Sequence, residues 1–357
     1  MKTTRNISEL VRPNIRNLKP YSSARDEFRG RAEIFLDANE NPYPTAYNRY
    51  PDPLQLALKE RISASKGVPS SRIFLGNGSD EAIDLLIRAF CEPNRDAILV
   101  PEPTYGMYSV CADINAVQVQ RVLLSSSYDL DLPAIRSATD RSTRIIFLCS
   151  PNNPSANLLS RETVLSTVED FDGLVVVDEA YIDFSGSESY TTQLNSYPNL
   201  VVLQTFSKAW GLAGLRLGMC FAQEMIVSVL NKIKYPYNIN CQTQELVLKA
   251  LANESQKDRW VNEILNERAK LVAALNDLEM VRHVYPSDAN FVLVRVDDAS
   301  GTYRLLMEMG TIVRDRSRVV LCEDCLRITV GTPKENETLI RQLKGLGSGA
   351  TNKQLTT

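Results

Sequence analysis

Lys208 stands in the run Thr205-Phe206-Ser207-Lys208-Ala209-Trp210-Gly211-Leu212-Ala213-Gly214-Leu215-Arg216, a primary amine behind a hydroxyl, with small residues and then a guanidinium after it. The apolar stretch Leu200 to Leu203 comes just before, so the amine is expected at a strand end rather than on an outer helix face. Near low-dielectric walls an amine loses its proton more readily, and the neutral amine is the form that condenses with an aldehyde to a Schiff base. A basic, Gly-rich surface loop would carry the same residues, so the rest of the chain has to decide between the two.

Three more segments carry chemistry. In Ile73-Phe74-Leu75-Gly76-Asn77-Gly78-Ser79-Asp80 a short strand runs through glycines into an apolar-periodic helix. The free N–H groups and the dipole of such a helix start favour an anion, although a plain tight turn would read the same way. Leu174-Val175-Val176-Val177-Asp178-Glu179-Ala180-Tyr181 puts a carboxylate at the end of a strand apolar enough to be central. A buried Asp178 needs a cationic partner, whereas an exposed one would simply cap the next turn. Ser150-Pro151-Asn152-Asn153-Pro154 ends another apolar strand, and Pro103-Thr104-Tyr105-Gly106 places an aromatic at a strand-to-helix turn, where a core tyrosine is the alternative.

Together these segments resemble the fold-type I pyridoxal-phosphate aminotransferases, whose Schiff-base segment reads Ser-Lys-x-x-Gly-x-x-Gly-x-Arg. The resemblance implies that Lys208 carries pyridoxal 5'-phosphate and that Ser207 and Arg216 contact its phosphate, with Gly78, Ser79 and Asp80 as the third side of the phosphate cup. It implies that Asp178 pairs with the pyridine nitrogen, that Tyr181 and Asn153 bond the ring hydroxyl, and that Tyr105 stacks on the cofactor face. One departure stands out: the family continues Pro-Thr-Gly where this chain has Pro154-Ser155-Ala156, which puts the loop after Asn153 in doubt.

Four further segments narrow the resemblance to the histidinol-phosphate aminotransferase family and extend it over nearly the whole chain. They are Lys19-Pro20-Tyr21-Ser22-Ser23-Ala24-Arg25, Leu36-Asp37-Ala38-Asn39-Glu40-Asn41-Pro42-Tyr43, Arg49-Tyr50-Pro51-Asp52-Pro53 and Cys325-Leu326-Arg327-Ile328-Thr329-Val330-Gly331. The resemblance implies a homodimer in which Tyr50 reaches the other subunit's cofactor. It implies a substrate site formed by Tyr21, Asn41, Tyr50, Arg314 and Arg327. Arg327 would bind either the carboxylate of glutamate or the phosphate of L-histidinol phosphate, since one guanidinium fork suits both oxyanions. Arg314 would join it on the phosphate, although Arg314, Arg316 and Arg318 alternate with polar residues and some must face water.

The implied reaction is a ping-pong transfer between L-histidinol phosphate and 2-oxoglutarate, giving imidazole-acetol phosphate and glutamate, a step of histidine biosynthesis. Lys208 would act as general base. A threonine-phosphate decarboxylase or an aromatic amino acid aminotransferase on the same scaffold is the alternative. A regulatory domain without catalysis would not need Lys208, Asp178 and Arg216 together.

Composition agrees with small-molecule chemistry. The chain has 357 residues, 44% apolar and 23% charged, with a net charge of -3, which gives no basic footprint for nucleic acid and no polybasic arm for a membrane. Neither a signal-like N-terminus nor a run of about 18 apolar residues occurs, so a cytoplasmic protein is expected. Seven scattered cysteines suit buried thiols in a reducing compartment. Cys322-Glu323-Asp324-Cys325 lacks a second pair at zinc spacing, so no metal is expected, and the single His283 has no nearby ligand partner.

The elements that must position these groups follow from periodicity. Apolar runs at 73–75, 97–100, 117–123, 144–148, 174–177 and 200–203 alternate with helical stretches, which argues for an α/β architecture, a mainly parallel sheet with helices on both faces. The family resemblance gives that sheet seven strands. Pro53 is expected to open a helix that Gly67 ends. After residue 242 a helical hairpin leads to a smaller α/β unit with strands at 291–296, 312–314 and 326–330 and helices at 303–309 and 335–343. The expected division is an N-terminal arm and part of the small domain over 1–35, a large cofactor domain over 36–255, a small domain over 256–345 and a disordered tail over 346–357.

Overall fold

The computed structural model describes residues 6–21 and 33–353, with side chains described as far as residue 346. Ser22, Ser23, Ala24 and Arg25 of the first family segment, and residues 354–357 of the expected tail, lie outside the described residues.

The apolar runs form the strands β1 (Ile73–Asn77), β2 (Ala97–Glu102), β3 (Gln118–Leu123), β4 (Thr143–Cys149), β5 (Leu174–Asp178), β6 (Leu200–Thr205) and β7 (Leu217–Phe221). They make one sheet in the order β1-β7-β6-β5-β4-β2-β3. All neighbours run parallel except β7, which is antiparallel to both β1 and β6. Side chains alternate across the pleat: Ile145, Phe147 and Cys149 enter one core cluster, Ile146 and Leu148 the other. Both faces of the sheet are therefore covered, and the central strands can be apolar at every position. In β5, Leu174 to Val177 are fully buried and contribute about 2 kcal/mol each by burial.

In the large sheet β7 is the strand that periodicity does not reveal, as the strand Val281–Val284 is in the small one. The β7 run is short and interrupted by Gly218, yet the glycine is required: a Cβ there would lie 2.2 Å from the backbone nitrogen of Ser79. Close packing of β7 under the start of the helix Gly78–Phe90 thus depends on the residue that hides the strand from its pattern.

Among the boundaries that differ from expectation, such as the strand expected at 312–314 and found at Arg314–Asp315, two have a clear local cause. The helix Leu56–Lys66 begins after Pro53, because the Asp52 carboxylate accepts from the backbone N–H groups of Leu54 (2.8 Å) and Leu56 (2.6 Å) and Gln55 turns through a φ of 50°. Gly67, at φ 68°, ends it as the spacing predicts. At the other end the helix Pro333–Lys353 runs past Gly345, where a disordered tail is expected. Each glycine costs a helix only about 1 kcal/mol, and extension of an existing helix adds one hydrogen bond per residue.

The second sheet is antiparallel, in the order β10 (Arg314–Asp315), β11 (Cys325–Thr329), β9 (Phe291–Val296) and β8 (Val281–Val284). One face packs on the helices Glu254–Asn276, Ala299–Glu308 and Pro333–Lys353 through Leu271, Leu275, Val292, Val294, Leu306, Ile328 and Leu339. From its other face Phe291, Leu293 and Cys325, with Cys322 of the turn before β11, join the core of the large sheet. Arg327 of β11 is thereby carried toward the ends of β4 and β5.

Candidate active site

The carboxyl ends of β4, β5 and β6 open into a cavity of about 140 Å³, the crevice position at which parallel sheets bind ligands. Lys208, Asp178, Tyr181, Asn153, Ser207, Arg216, Tyr105, Gly78, Ser79 and Asp80 all line it. Lys208 is half-buried, with Nζ 5.5 Å from the centre of the Tyr181 ring. Its proton affinity is lowered, first by burial and then by the nearby Arg327 guanidinium, with the carboxylates of Asp178 and Asp80 opposing. The shift favours the free amine, the form able to attack a carbonyl carbon, over the charged one.

Asp178 is 2% exposed. Its carboxylate accepts from the Tyr108 hydroxyl at 2.8 Å and from the backbone N–H of Ala180 at 3.1 Å. Burial outweighs both bonds and pushes the carboxyl up to about 6. A buried acid that charges so reluctantly calls for a cationic partner. Glu179, next in sequence, faces elsewhere: its carboxylate is taken by Ser189, the Tyr190 backbone and Gln204.

The anion cradle forms where β1 meets the helix Gly78–Phe90. Gly78 has φ 69°, and a Cβ there would lie 2.7 Å from a terminal nitrogen of Arg216. Arg216 itself adopts the left-handed conformation, φ 53°, which brings its carbonyl onto the Gly78 N–H at 2.8 Å. Its guanidinium pairs with Asp80 at 3.3 Å, and Asp80 also accepts from the Tyr105 hydroxyl at 3.1 Å. Thr205 holds the fourth side, accepting from the Ser207 N–H at 3.1 Å and donating to the Ser207 hydroxyl at 3.0 Å.

After Asn153, Ala156 takes φ 71°, the region a glycine occupies without strain, and is fully buried. The loop closes through Ala156 N–H to the Asn152 carbonyl at 2.9 Å, and the Asn152 side chain donates to Pro103 and Ser155. Ala156→Gly should therefore leave unfolding stability within about 1 kcal/mol, relief of roughly 1–2 kcal/mol of strain offsetting the lost methyl burial and the added chain entropy. A denaturant melt checks this, and a larger loss would mean that the methyl packing outweighs the strain.

The remaining expected residues lie outside the cavity lining. Arg327 is nearest: its guanidinium donates to the Asn153 side-chain oxygen and sits 5.3 Å over the Phe291 ring, which in turn meets Tyr181 edge-on. Arg314 is exposed on β10, opposite Arg327. Tyr50 is exposed and stacks on Tyr237 at 4.4 Å, Asn41 caps Tyr43 in an exposed turn, and Tyr21 is 74% exposed. Tyr108 is the group that sequence reasoning passes over. Its spacing from Tyr105 is helical and ordinary, and only the buried bond to Asp178 reveals it. The free Cys322 and Cys325 thiols are buried, and no metal-binding cluster of His, Cys, Asp or Glu occurs among the described residues. Nor is any helix among them long and apolar enough to cross a membrane.

These residues fit pyridoxal phosphate: an acid short of a cation, an anion cradle at a helix start and an amine eased out of its charged form face one cavity. Sheet and site together define a fold-type I pyridoxal-phosphate aminotransferase. A family model for aminotransferase class I and II matches residues 37–343. Within that class the chain belongs to the histidinol-phosphate aminotransferase family, for the enzyme of that name from Parabacteroides distasonis is 55% identical over 342 residues, 96% of this chain and 99% of the relative. The crystal structure of histidinol-phosphate aminotransferase from Sinorhizobium meliloti in complex with pyridoxal-5'-phosphate shares the fold with a TM-score of 0.77 at 22% identity, covering 85% of this chain and 83% of that one. An L-threonine-O-3-phosphate decarboxylase from Porphyromonas gingivalis is also similar, with a TM-score of 0.72 at 26% identity over 84% of this chain and 90% of that one.

Proposed function

We propose that this chain moves an amino group between L-histidinol phosphate and 2-oxoglutarate by a two-stage reaction, serving histidine biosynthesis. The observation that carries the reading is the placement of Arg327, a half-buried guanidinium fork fixed by Asn153 and Phe291 beside the reactive amine. It offers one docking point for a carboxylate in one half-reaction and a phosphate ester in the other.

Bound pyridoxal phosphate supplies an electron sink for charge that develops on the substrate carbon. Gly78, Ser79, Ser207 and Arg216 would hold its phosphate, Asp178 its ring nitrogen, and Asn153 and Tyr181 its hydroxyl. Tyr108 keeps Asp178 oriented, and Tyr105 braces Asp80. Lys208, whose charged form burial disfavours, would take the proton from the substrate carbon at Nζ and hand it on to a different carbon later in the same half-reaction. Arg327, with Arg314, orients the substrate by its anion so that the carbon presents itself to that nitrogen.

Mixing the cofactor-loaded enzyme with L-histidinol phosphate, without any oxo acid, tests the reading. The absorbance of the lysine-bound cofactor should convert to that of its amine form. An unchanged spectrum, with conversion by threonine phosphate or phenylalanine instead, would transfer the site to a decarboxylase or an aromatic amino acid enzyme. Arg327→Ala should raise the KM for both substrates by roughly 10- to 100-fold, the worth of a charge-assisted fork. Half-reaction titrations check it, and a loss confined to one substrate would contradict the dual role.

The reading includes a homodimer with shared active sites in a cytoplasmic setting. Ile34, Leu36, Tyr43, Tyr47, Tyr50 and Tyr235 are exposed large side chains on the segments flanking Tyr50 and Tyr237, which supports a covering subunit there. Light scattering should give about twice the 40.0 kDa chain mass.

A further inference from the structure

The short pairing of β10 with β11 sets Arg314 opposite Arg327, and the Arg316 backbone N–H continues the ladder by donating to the Cys325 carbonyl at 2.8 Å. Alternation along the pleat places Arg314, Arg316 and Arg327 on one face of this edge. Arg314 and Arg318 are exposed, whereas Arg316 is half-buried. Its Nε is sealed from solvent with no acceptor among the described residues. No ion pair joins any carboxylate to Arg314, Arg316 or Arg327 among those residues, although Arg295 two strands away has Glu323 at 3.7 Å.

Arg316 also lies within electrostatic reach of the cavity. Burial and the like charges of Arg327 and Arg314 pull its proton affinity down to about 10, while Cys322 and the cavity-lining Tyr181 pull the other way. Three guanidinium groups gathered without a counter-ion are unfavourable in the empty protein, and an anion of more than one charge would relieve them. A carboxylate offers one charge on two oxygens, which a single fork saturates. A phosphate monoester offers nearly two charges at neutral pH and three acceptor oxygens, leaving capacity for a further donor.

We infer that Arg316 is a specificity-determining residue, a third guanidinium that binds the phosphate ester of the substrate and is left unused by the carboxylate substrate. The inference rests on the phosphate-ester reading proposed above and adds a residue that the resemblance does not assign. It also gives a physical reason why one site can prefer a phosphorylated amine over a plain amino acid while Arg327 serves both.

The test uses the cofactor-loaded enzyme and its Arg316→Gln and Arg316→Lys variants. The two half-reactions are titrated separately by the absorbance of the bound cofactor. Inorganic phosphate is added as a competitor of the glutamate half-reaction. Arg316→Gln should weaken L-histidinol phosphate by roughly 10- to 100-fold and inorganic phosphate by a similar factor, with a far smaller change for glutamate. Arg316→Lys, which keeps the charge but not the fork, should fall between. Equal losses for glutamate and histidinol phosphate would overturn the inference, because damage to the fold or to Arg327 moves both together. Unchanged affinity for both would overturn it as well. A wild-type enzyme inert toward histidinol phosphate would sink the substrate reading by itself, while phosphate inhibition lost in Arg316→Gln would still uphold the anion site.

Discussion

Lys208→Ala should lower kcat for transamination by roughly 10⁴-fold or more, the upper end of what a positioned general base supplies, with the fold intact. The amine is half-buried and its charged form is disfavoured by burial and by Arg327, so its removal deletes no ion pair on which folding relies. Thermal unfolding of the cofactor-free variant should match or slightly exceed the wild type. Single-turnover mixing with L-histidinol phosphate, followed by absorbance, separates binding from proton transfer. The cofactor should still occupy the phosphate cradle, since Arg216, Ser207 and the Gly78 turn do not depend on the amine. Turnover retained within tenfold would remove Lys208 from the chemistry altogether.

Asp178→Asn should act in opposite directions on stability and on catalysis. In the cofactor-free fold the Asp178 carboxyl titrates near 6, above the value of about 3.9 for an unfolded chain. Between those values the native state binds the extra proton, so its stability falls as pH rises through that window. The loss, about 3 kcal/mol in total, then persists at neutral pH. Asparagine cannot charge, yet it still offers an oxygen to the Tyr108 hydroxyl. The variant should therefore be more stable than the wild type in urea at pH 7.5 and indistinguishable from it below about pH 4. With cofactor bound it should lose about 10²-fold or more in kcat, the size of one preorganised electrostatic contact. A variant that is less stable at pH 7.5 would mean that the carboxylate is already paired in the empty protein.

The chemistry-bearing residues are legible in the sequence where a strand ends in them. Asp178, Asn153 and Lys208 each follow an uninterrupted apolar run, and central parallel strands deliver their carboxyl ends to one crevice. Arg216 and Gly78 are legible through glycine spacing, since left-handed turns there limit the residues allowed. Tyr108 and Arg316 are not, because their roles rest on what faces them from other parts of the chain. Tyr108 sits on the helix Met107–Ile114, and its partner is 70 residues away. Asn41 and Tyr50 are exposed in a single chain, so they acquire meaning only through whatever covers them.

β7 runs against its neighbours, and that reversal makes residues 206–216 a hairpin connection rather than a crossover. The link is stitched to itself, Phe206 N–H to Leu217, Leu212 to Phe206, Gly211 to Lys208 and Leu215 to Leu212. Lys208 and Arg216 are thus two marks on one short ruler. Their backbone spacing is set by a local connection, so sequence drift far from this link and from the Gly78 turn that grips Arg216 leaves the distance between the two unchanged.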